Sequence, residues 1–458
     1  MLKRGFYMHD FSTKNSLAQL LEYALPSIAG LFLTSFIIIV DGVFIGRKLG
    51  ADGLAAVNMT LPLLYTLLAV TTTIAVGGLT LASQAAGRAK SETASRYFSS
   101  SLALIVLIVT SLLLALFMFQ EKILLLLGAT GIIYAYLQDF LGVLVYFYLF
   151  MMLNIAFSMF IRGEGKPQLS LFFGLVGNLL NIALDYLFIF QLDWGLRGAA
   201  LASGLSVLLP FLCGLLYFLR GCSSYTFTAV FMTSAPYRQI ILNGSAECIG
   251  QISIALTTAL FNAAALHLLG SNGVAAFTIV GYMLFFHSML ITGIGIGIHP
   301  IFSYHFGAGR TAPICELFVV ASKAVIVASI LLAALVSAAA ENIVSLFAGD
   351  NTELLIIGAL ALRFSAPALL FSGCNFIMAV LFTATGQPAQ AALTACLRGL
   401  LFVIPLLFLL PNLIGASGIW LSLPLAEFFT LAVILPRLRT HWKNLRQRPE
   451  PEQEPCQL

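Results

Sequence analysis

Charge is what this chain has least of. Only 9% of its 458 residues are Asp, Glu, Lys or Arg, and 60% are apolar. A soluble domain carries about 25% charged residues, so this composition excludes an ordinary soluble fold. The seven cysteines (Cys213, Cys222, Cys248, Cys315, Cys374, Cys396 and Cys456) are scattered, with no CxxC pair. That excludes a disulfide framework and a zinc site. Cys456 stands third from the end, whereas prenylation needs the fourth position. No GxxxxGK[ST] loop is present, so ATP does not drive this chain directly. No HExxH, no GxSxG and no readable nucleophile–base pair occurs, so the chain is not expected to be an enzyme. No organic cofactor is expected.

Long apolar runs are what it has most of. A hydrocarbon core of about 30 Å needs roughly 20 helical residues. Twelve runs qualify, at 18–40, 54–79, 97–119, 132–160, 168–190, 196–219, 237–269, 273–305, 316–340, 354–383, 389–411 and 415–437. They lack the ten-residue alternation of a membrane β-barrel. The first run is of full spanning length behind Lys3, Arg4 and Lys14, which reads as a membrane segment and not as a cleavable signal. The expected fold is an all-α membrane protein with twelve transmembrane helices, its partner the lipid bilayer.

Lys and Arg in the loops set the orientation. With the N-terminus inside, the outer segments hold only Arg47, Lys48, Lys122 and Arg197. The inner segments hold Arg88, Lys90, Arg96, Arg162, Lys166, Arg220, Arg238, Arg310 and the basic residues of both ends. Both termini are therefore expected in the cytoplasm, with the chain in the cell (inner) membrane. The net charge of +4 is this bias and does not signal nucleic acid.

The chain repeats itself. Gly53-Leu-Ala-Ala-Val57 matches Gly273-Val-Ala-Ala-Phe277, and Ser83-Gln-Ala-Ala-Gly-Arg88 matches His305-Phe-Gly-Ala-Gly-Arg310. Asn154 with Gly165-Lys-Pro167 matches Asn375 with Gly386-Gln-Pro388, and Gly195-Leu-Arg-Gly198 matches Gly415-Ala-Ser-Gly418. All four pairs are offset by 220 to 222 residues. An offset held across six helices predicts two parallel repeats, a pseudo-symmetric pair of six-helix bundles with a pathway between them. The expected division is a first lobe at 1–220, a cytoplasmic linker at 221–236, a second lobe at 237–440 and a disordered tail at 441–458. Each chain then holds a whole pathway and functions as a monomer.

Ionisable groups at membrane depth are rare and usually functional. Here they are Glu22, Asp41, Asp185, Glu247, Glu427, Lys323, Arg363 and Arg398. Asp41, Asp185 and Ser203 each lie five or six residues from an outer helix end, about 7–10 Å below the surface. Asn178, Asn181 and Asp185 fall within about 60° of one another on a helical wheel. They form one polar stripe on the fifth run. Two carboxylates with amide and hydroxyl oxygens suit a hard cation such as Na+, or a proton held between acids. The alternative for Asn178 and Asn181 is plain helix–helix hydrogen bonding. Projected by the offset, these positions become Phe261, Leu406, Phe402 and Leu423, so the stripe is expected in the first half alone. In the second half, Glu247, His299 and Arg398 are candidates for substrate or proton binding. The structural reading of Glu247 pairs it with Arg398 or Lys323. The histidines of the eighth run, His299 and His305, read equally as packing residues.

The residues now resemble a known family. The pieces are Ala24-Leu-Pro26, Asp41 with Phe44-Ile-Gly46, Gly53-Leu-Ala-Ala, Arg162-Gly-Glu-Gly165, Asn181-Ile-Ala-Leu-Asp185, Gly198-Ala-Ala-Leu-Ala-Ser203 and Ile298-His-Pro300. In order and spacing they resemble the multidrug and toxic compound extrusion (MATE) family over nearly the whole chain, most of all its MepA-like branch. The resemblance implies a MATE/MOP-type fold. It also implies export of cationic or amphipathic drugs in exchange for inward H+ or Na+, by alternating access. It adds Asn154 to Asp41, Asn181, Asp185 and Ser203 as the first-lobe cation site, and gives Glu247 a role in the second. Departures are Tyr186 where proline often follows the aspartate, His299 for a common glutamine, and no aspartate after Arg363 in the tenth run. The alternative within the same architecture is a flippase or exporter of lipid-linked or anionic substrates. That would need more cationic groups than Arg363 and Arg398.

Overall fold

The computed structural model describes residues 15–126, 131–348 and 351–447. Every regular element among them is helical. The reason is solvation. Inside a bilayer each backbone N–H and C=O must be satisfied within its own segment, and an apolar run achieves this only as a helix. Exposed side chains such as Ile38, Ile39, Leu107, Leu114, Leu331 and Phe408 coat the outside, as lipid contact requires.

The chain runs α1 (Ser16–Gly87), α2 (Ser91–Met118), a short α3 (Gln120–Leu126), α4 (Gly131–Gly163), α5 (Pro167–Asp185) and α6 (Gly195–Leu219). Then come α7 (Ser234–Gly307), α8 (Ala312–Ala338), a short α9 (Ala340–Ala348), α10 (Thr352–Ser365), α11 (Pro367–Ala384), α12 (Pro388–Cys396), α13 (Val403–Ile414) and α14 (Ser417–Arg446). Two π-helical segments, Tyr186–Gln191 and Leu397–Leu401, follow α5 and α12. Eleven stretches are long and apolar enough to cross a membrane, α1 counting as Ser16–Gly50 and Asp52–Gly87. The 74-residue α7 breaks at Gly270, which makes twelve spans. Most expected helix boundaries lie within several residues of those found, but the first, second and last helices run eight to ten residues further, to Gly50, Gly87 and Arg446.

Left-handed backbone positions mark the repeat. Gly50 and Gly270 (φ +69° and +62°) break α1 and α7, and Gly165 and Gly386 (+85° and +71°) turn the chain before α5 and α12. Gly195 and Gly415 (+54° and +68°) open or precede α6 and α14. Glycine reaches this region without a Cβ clash. The repeated motifs of the sequence are thus repeated turns.

The chain forms two compact units, one of Pro26–Gly244 and one of Ser245–Leu458 that also takes in residues 15–25 of α1. In the first, α4 packs along α6, with Gly204 against the Phe147 ring and Gly214 against Phe157. In the second, Phe261, Val336, Val344, Leu354 and Trp420 anchor a buried apolar cluster.

Residues 222–233, between α6 and α7, are not helical, and they are tied to the first unit. Ser95, Ser99 and Ser100 of α2 accept from the backbone N–H of Thr226 (3.2 Å), Thr228 (3.0 Å) and Phe231 (3.2 Å). Tyr225 stacks on Phe98 at 5.6 Å. The α14 helix runs on to Arg446, so the first residues of the expected tail are helical. Buried Leu445 and the Trp442–Phe318 ring contact hold them. Residues 448–458 lie outside the described residues.

Candidate functional site

The first-unit site is built from the outer part of the Ser16–Gly50 arm and the end of α5. Phe44 meets Phe190 edge to face at 5.4 Å, and Lys48 pairs with Asp193 at 2.8 Å. These contacts set Asp41 beside Asp185, close enough for the two carboxyls to interact. A hydrogen bond between them would need a proton on one of the acids, since two carboxylates only accept. Asp185 is 1% exposed and Asn181, one turn earlier, 5%. Asp41 Oδ1, Asp185 Oδ2 and Asn181 Nδ2 are buried with no partner among the described residues. Buried polar atoms left unpaired are costly; the two carboxylate oxygens fit a cation or water, and the Asn181 amide N–H fits water or another acceptor. The π-helical segment begins at the residue after Asp185, and π-turns recur at functional sites.

The other expected members stand apart. Asn154 of α4 lines a small cavity of about 40 Å³ with Ser158, Ser170, Gly174 and Pro210, and neither aspartate borders it. Ser158 and Ser170 bond across it at 2.6 Å. Ser203 accepts from the Ser206 hydroxyl through its carbonyl at 2.8 Å. Asn178 is half-buried. Among the described residues no recorded hydrogen bond joins the side chains of Asn154, Asn178 or Ser203 to the acid pair. What brings α5 and α6 together is Gly177, where a Cβ would lie 2.9 Å from the Ser206 carbonyl and 2.8 Å from the Pro210 ring.

In the second unit the expected pairing of Glu247 with Arg398 or Lys323 is not found. Arg398 donates instead to Glu427 Oε1, from Nε at 3.0 Å and Nη2 at 2.7 Å. Asn375 Nδ2 donates to Glu427 Oε2 at 2.7 Å and to its backbone carbonyl at 2.9 Å. The second half therefore has a polar cluster of its own, at positions other than those projected from the first-half stripe. Glu247 is exposed on α7, and no hydrogen bond or ion pair is recorded for it. His299 is buried, and so is His305. His287, not singled out by the sequence, bonds Ser329 at 2.8 Å.

Sequence reasoning also missed Glu164, in the turn between α4 and α5. Its carboxyl is buried and accepts from the Tyr217 hydroxyl (2.6 Å), the Ser223 hydroxyl, and the backbone N–H of Ser224 (2.6 Å) and Tyr225 (3.0 Å). Burial pushes this carboxyl above its ordinary value, and the hydrogen bonds only partly offset that. The available signal was the acid inside Arg162-Gly-Glu-Gly165, which was used only as a mark of the family resemblance.

Twelve spans in two repeats, with a buried Asp185 facing half-buried Asp41 beside a π-turn, define a multi-pass membrane protein of MATE/MOP fold. The MatE family model matches residues 26–187 and 247–409, once in each repeat. The chain belongs to that family. It is similar to the multidrug export protein MepA of Staphylococcus haemolyticus (strain JCSC1435), 29% identical over 427 residues that cover 92% of each chain. It is also similar to MepA of Staphylococcus aureus (strain MSSA476), 28% identical over 421 residues, 89% of this chain and 90% of that one. Among solved structures, MATE in the bent conformation superposes with a TM-score of 0.88 at 19% identity, covering 95% of this chain and 97% of that one. A MOP superfamily transporter from Pyrococcus furiosus, described as having a binding pocket of reverse polarity, superposes at 0.87 with 20% identity and the same coverage. These two likenesses carry the fold alone.

Proposed function

We propose that the chain is a secondary active antiporter. It exports cationic or amphipathic compounds in exchange for inward H+ or Na+, by alternating access. The observation that carries this reading is the Asp41–Asp185 pair, a half-buried and a buried acid set close enough to interact. A proton arriving or leaving changes the charge of the pair by one. Na+ would displace the proton and draw in the unpaired Asp41 Oδ1 and Asp185 Oδ2. Asn154, Asn181 and Ser203 supply further oxygens if the lobe closes around the ion; Asn178 extends the stripe. The family relatives named as multidrug exporters support drug export for this chain.

A cationic substrate fits better than an anionic one. The arginines that a lipid pyrophosphate would need are committed, Arg398 to Glu427 and Arg363 to Glu341 at 2.9 Å. Glu247, an exposed acid on a spanning helix, is the residue we assign to substrate recognition. An unpaired acid at that depth is tolerated beside water or a cation and not beside lipid. On this reading the chain is no enzyme. It works as a monomer in the cell membrane with both termini in the cytoplasm, and takes no nucleic acid.

The test is ethidium transport in proteoliposomes, driven separately by a sodium gradient and a pH gradient. One gradient should drive wild type, and Asp41→Asn and Asp185→Asn should lose that response. Normal transport by both variants would reduce the pair to packing. No dye movement under either gradient would bring the anionic-substrate reading forward.

A further inference from the structure

The Arg398–Glu427–Asn375 cluster has no part in that scheme, and its construction is specific. Arg398 stands in the π-helical segment Leu397–Leu401. The backbone there is pinned, because Thr257 of α7 donates to the Gly399 carbonyl at 2.9 Å and Gly399 lies against Ser253. Glu427 is 4% exposed and Asn375 is fully enclosed. The Arg398 side chain keeps 27% of its surface exposed, so the ion pair can be approached from the arginine side. Both bonding N–H groups of Arg398 fall on one oxygen of Glu427. Asn375 Oδ1 is buried and has no partner among the described residues. The cluster thus holds a buried carboxylate and a spare buried acceptor.

The repeat says what this place is. Asn375 is the counterpart of Asn154, and the same offset puts Arg398 level with Gly177 and Asn178, and Glu427 level with Ser206 and Val207. In the first unit Asn154 borders an open cavity of about 40 Å³ with no charged residue in its lining. In the second unit its counterpart Asn375 instead meets a carboxylate with a guanidinium on it.

We propose that Glu427 and Asn375 form a receptor for planar guanidinium or amidinium cations, of which Arg398 is the tethered occupant. A free ligand of that class takes the receptor when the arginine is withdrawn. Carboxylate recognition of a planar N–H fork is directional, so a spherical ammonium ion is the poorer ligand. The inference does not rest on the coupling ion, because binding is read without any gradient.

The experiment is chemical rescue in purified detergent-solubilised protein. Arg398→Ala, Arg398→Ala/Glu427→Gln and wild type are titrated with methylguanidinium and with methylammonium, and binding is followed by calorimetry and thermal unfolding. Arg398→Ala should bind methylguanidinium saturably and unfold at higher temperature with it, at about tenfold higher affinity than methylammonium. Wild type and the double variant should show neither response. Arg398→Ala leaves a buried carboxylate unpaired, so it is also purified with methylguanidinium present throughout, which should restore folded yield. The proposal is overturned if folded Arg398→Ala does not bind, if binding survives Glu427→Gln, or if methylguanidinium fails to rescue a misfolded Arg398→Ala.

Discussion

Ala89 and Gly309 make the same left-handed turn, at φ +57° and +74°, one in each repeat. The hydrogen bonds match as well. Ala89 N–H donates to the Ala86 carbonyl and Lys90 N–H to Ala85, while Gly309 donates to Phe306 and Arg310 to His305. Only the side chain differs, and an L-residue with a Cβ pays about 1–2 kcal/mol for this conformation. The Ala89→Gly substitution should therefore stabilise the protein by about 1 kcal/mol after its extra unfolded-state entropy is subtracted. Thermal unfolding of the purified protein checks this. Gly309→Ala, made in parallel, should move the other way.

The acid pair gives a prediction that separates function from folding. Asn can take the place of either aspartate and donate one hydrogen bond across the Asp41–Asp185 contact. Asp41→Asn and Asp185→Asn should thus unfold within about 1 kcal/mol of wild type. Gradient-driven transport should fall to background in both. A variant that loses transport and stability together would mark the pair as structural.

The spanning helices and their repeat were readable because both rest on local signals. Apolar length fixes a span, and a glycine needed at positive φ, such as Gly50 or Gly270, recurs wherever the turn recurs. Asp41 and Asp185 were placed at a common depth by counting residues from helix ends, and the structure joins them. Counting along one helix does not say which helix lies beside it. For that reason Glu247 was matched with Arg398 or Lys323, and Glu427 on the next spanning helix, which Arg398 actually meets, was left without a role. Asn154, which came only from the family resemblance, faces a cavity that neither aspartate borders. Glu164 was passed over because a loop acid is ordinarily solvated. Burial by the returning segment at Ser223–Tyr225 is invisible before the chain is folded.

Glu164 carries a pH dependence whose sign can be worked out. Its folded value is raised, chiefly by burial. Below the unfolded value of about 4.3 the group is protonated in both states, and its contribution is fully present. As pH rises through the folded value, the folded state must give up a proton that it held more tightly than the unfolded chain, and stability is lost. Glu164→Gln carries no such proton. Melting wild type beside Glu164→Gln from pH 4 to pH 8 should show the difference shifting steadily against wild type. A pH-independent difference would mean that the four hydrogen bonds cancel the burial cost.

The tightest backbone approach in the first unit yields a sharp contrast between glycines. A Cβ at Gly244 of α7 would lie 1.8 Å from the Thr73 carbonyl oxygen, and one at Gly77 of α1 would lie 1.9 Å from the Ile240 carbonyl oxygen. Both obstacles are backbone, so no rotamer change relieves them. Small residues at such crossings are what let membrane helices approach closely. At Gly142 of α4 nothing lies within 4 Å of the same atom. Gly244→Ala should therefore cost at least about 2 kcal/mol through overpacking. Gly142→Ala should be neutral or gain up to about 1 kcal/mol from helix propensity. Thermal unfolding of the two variants, with the yield of monodisperse protein, measures both. Equal stability would show that α1 and α7 separate here without cost.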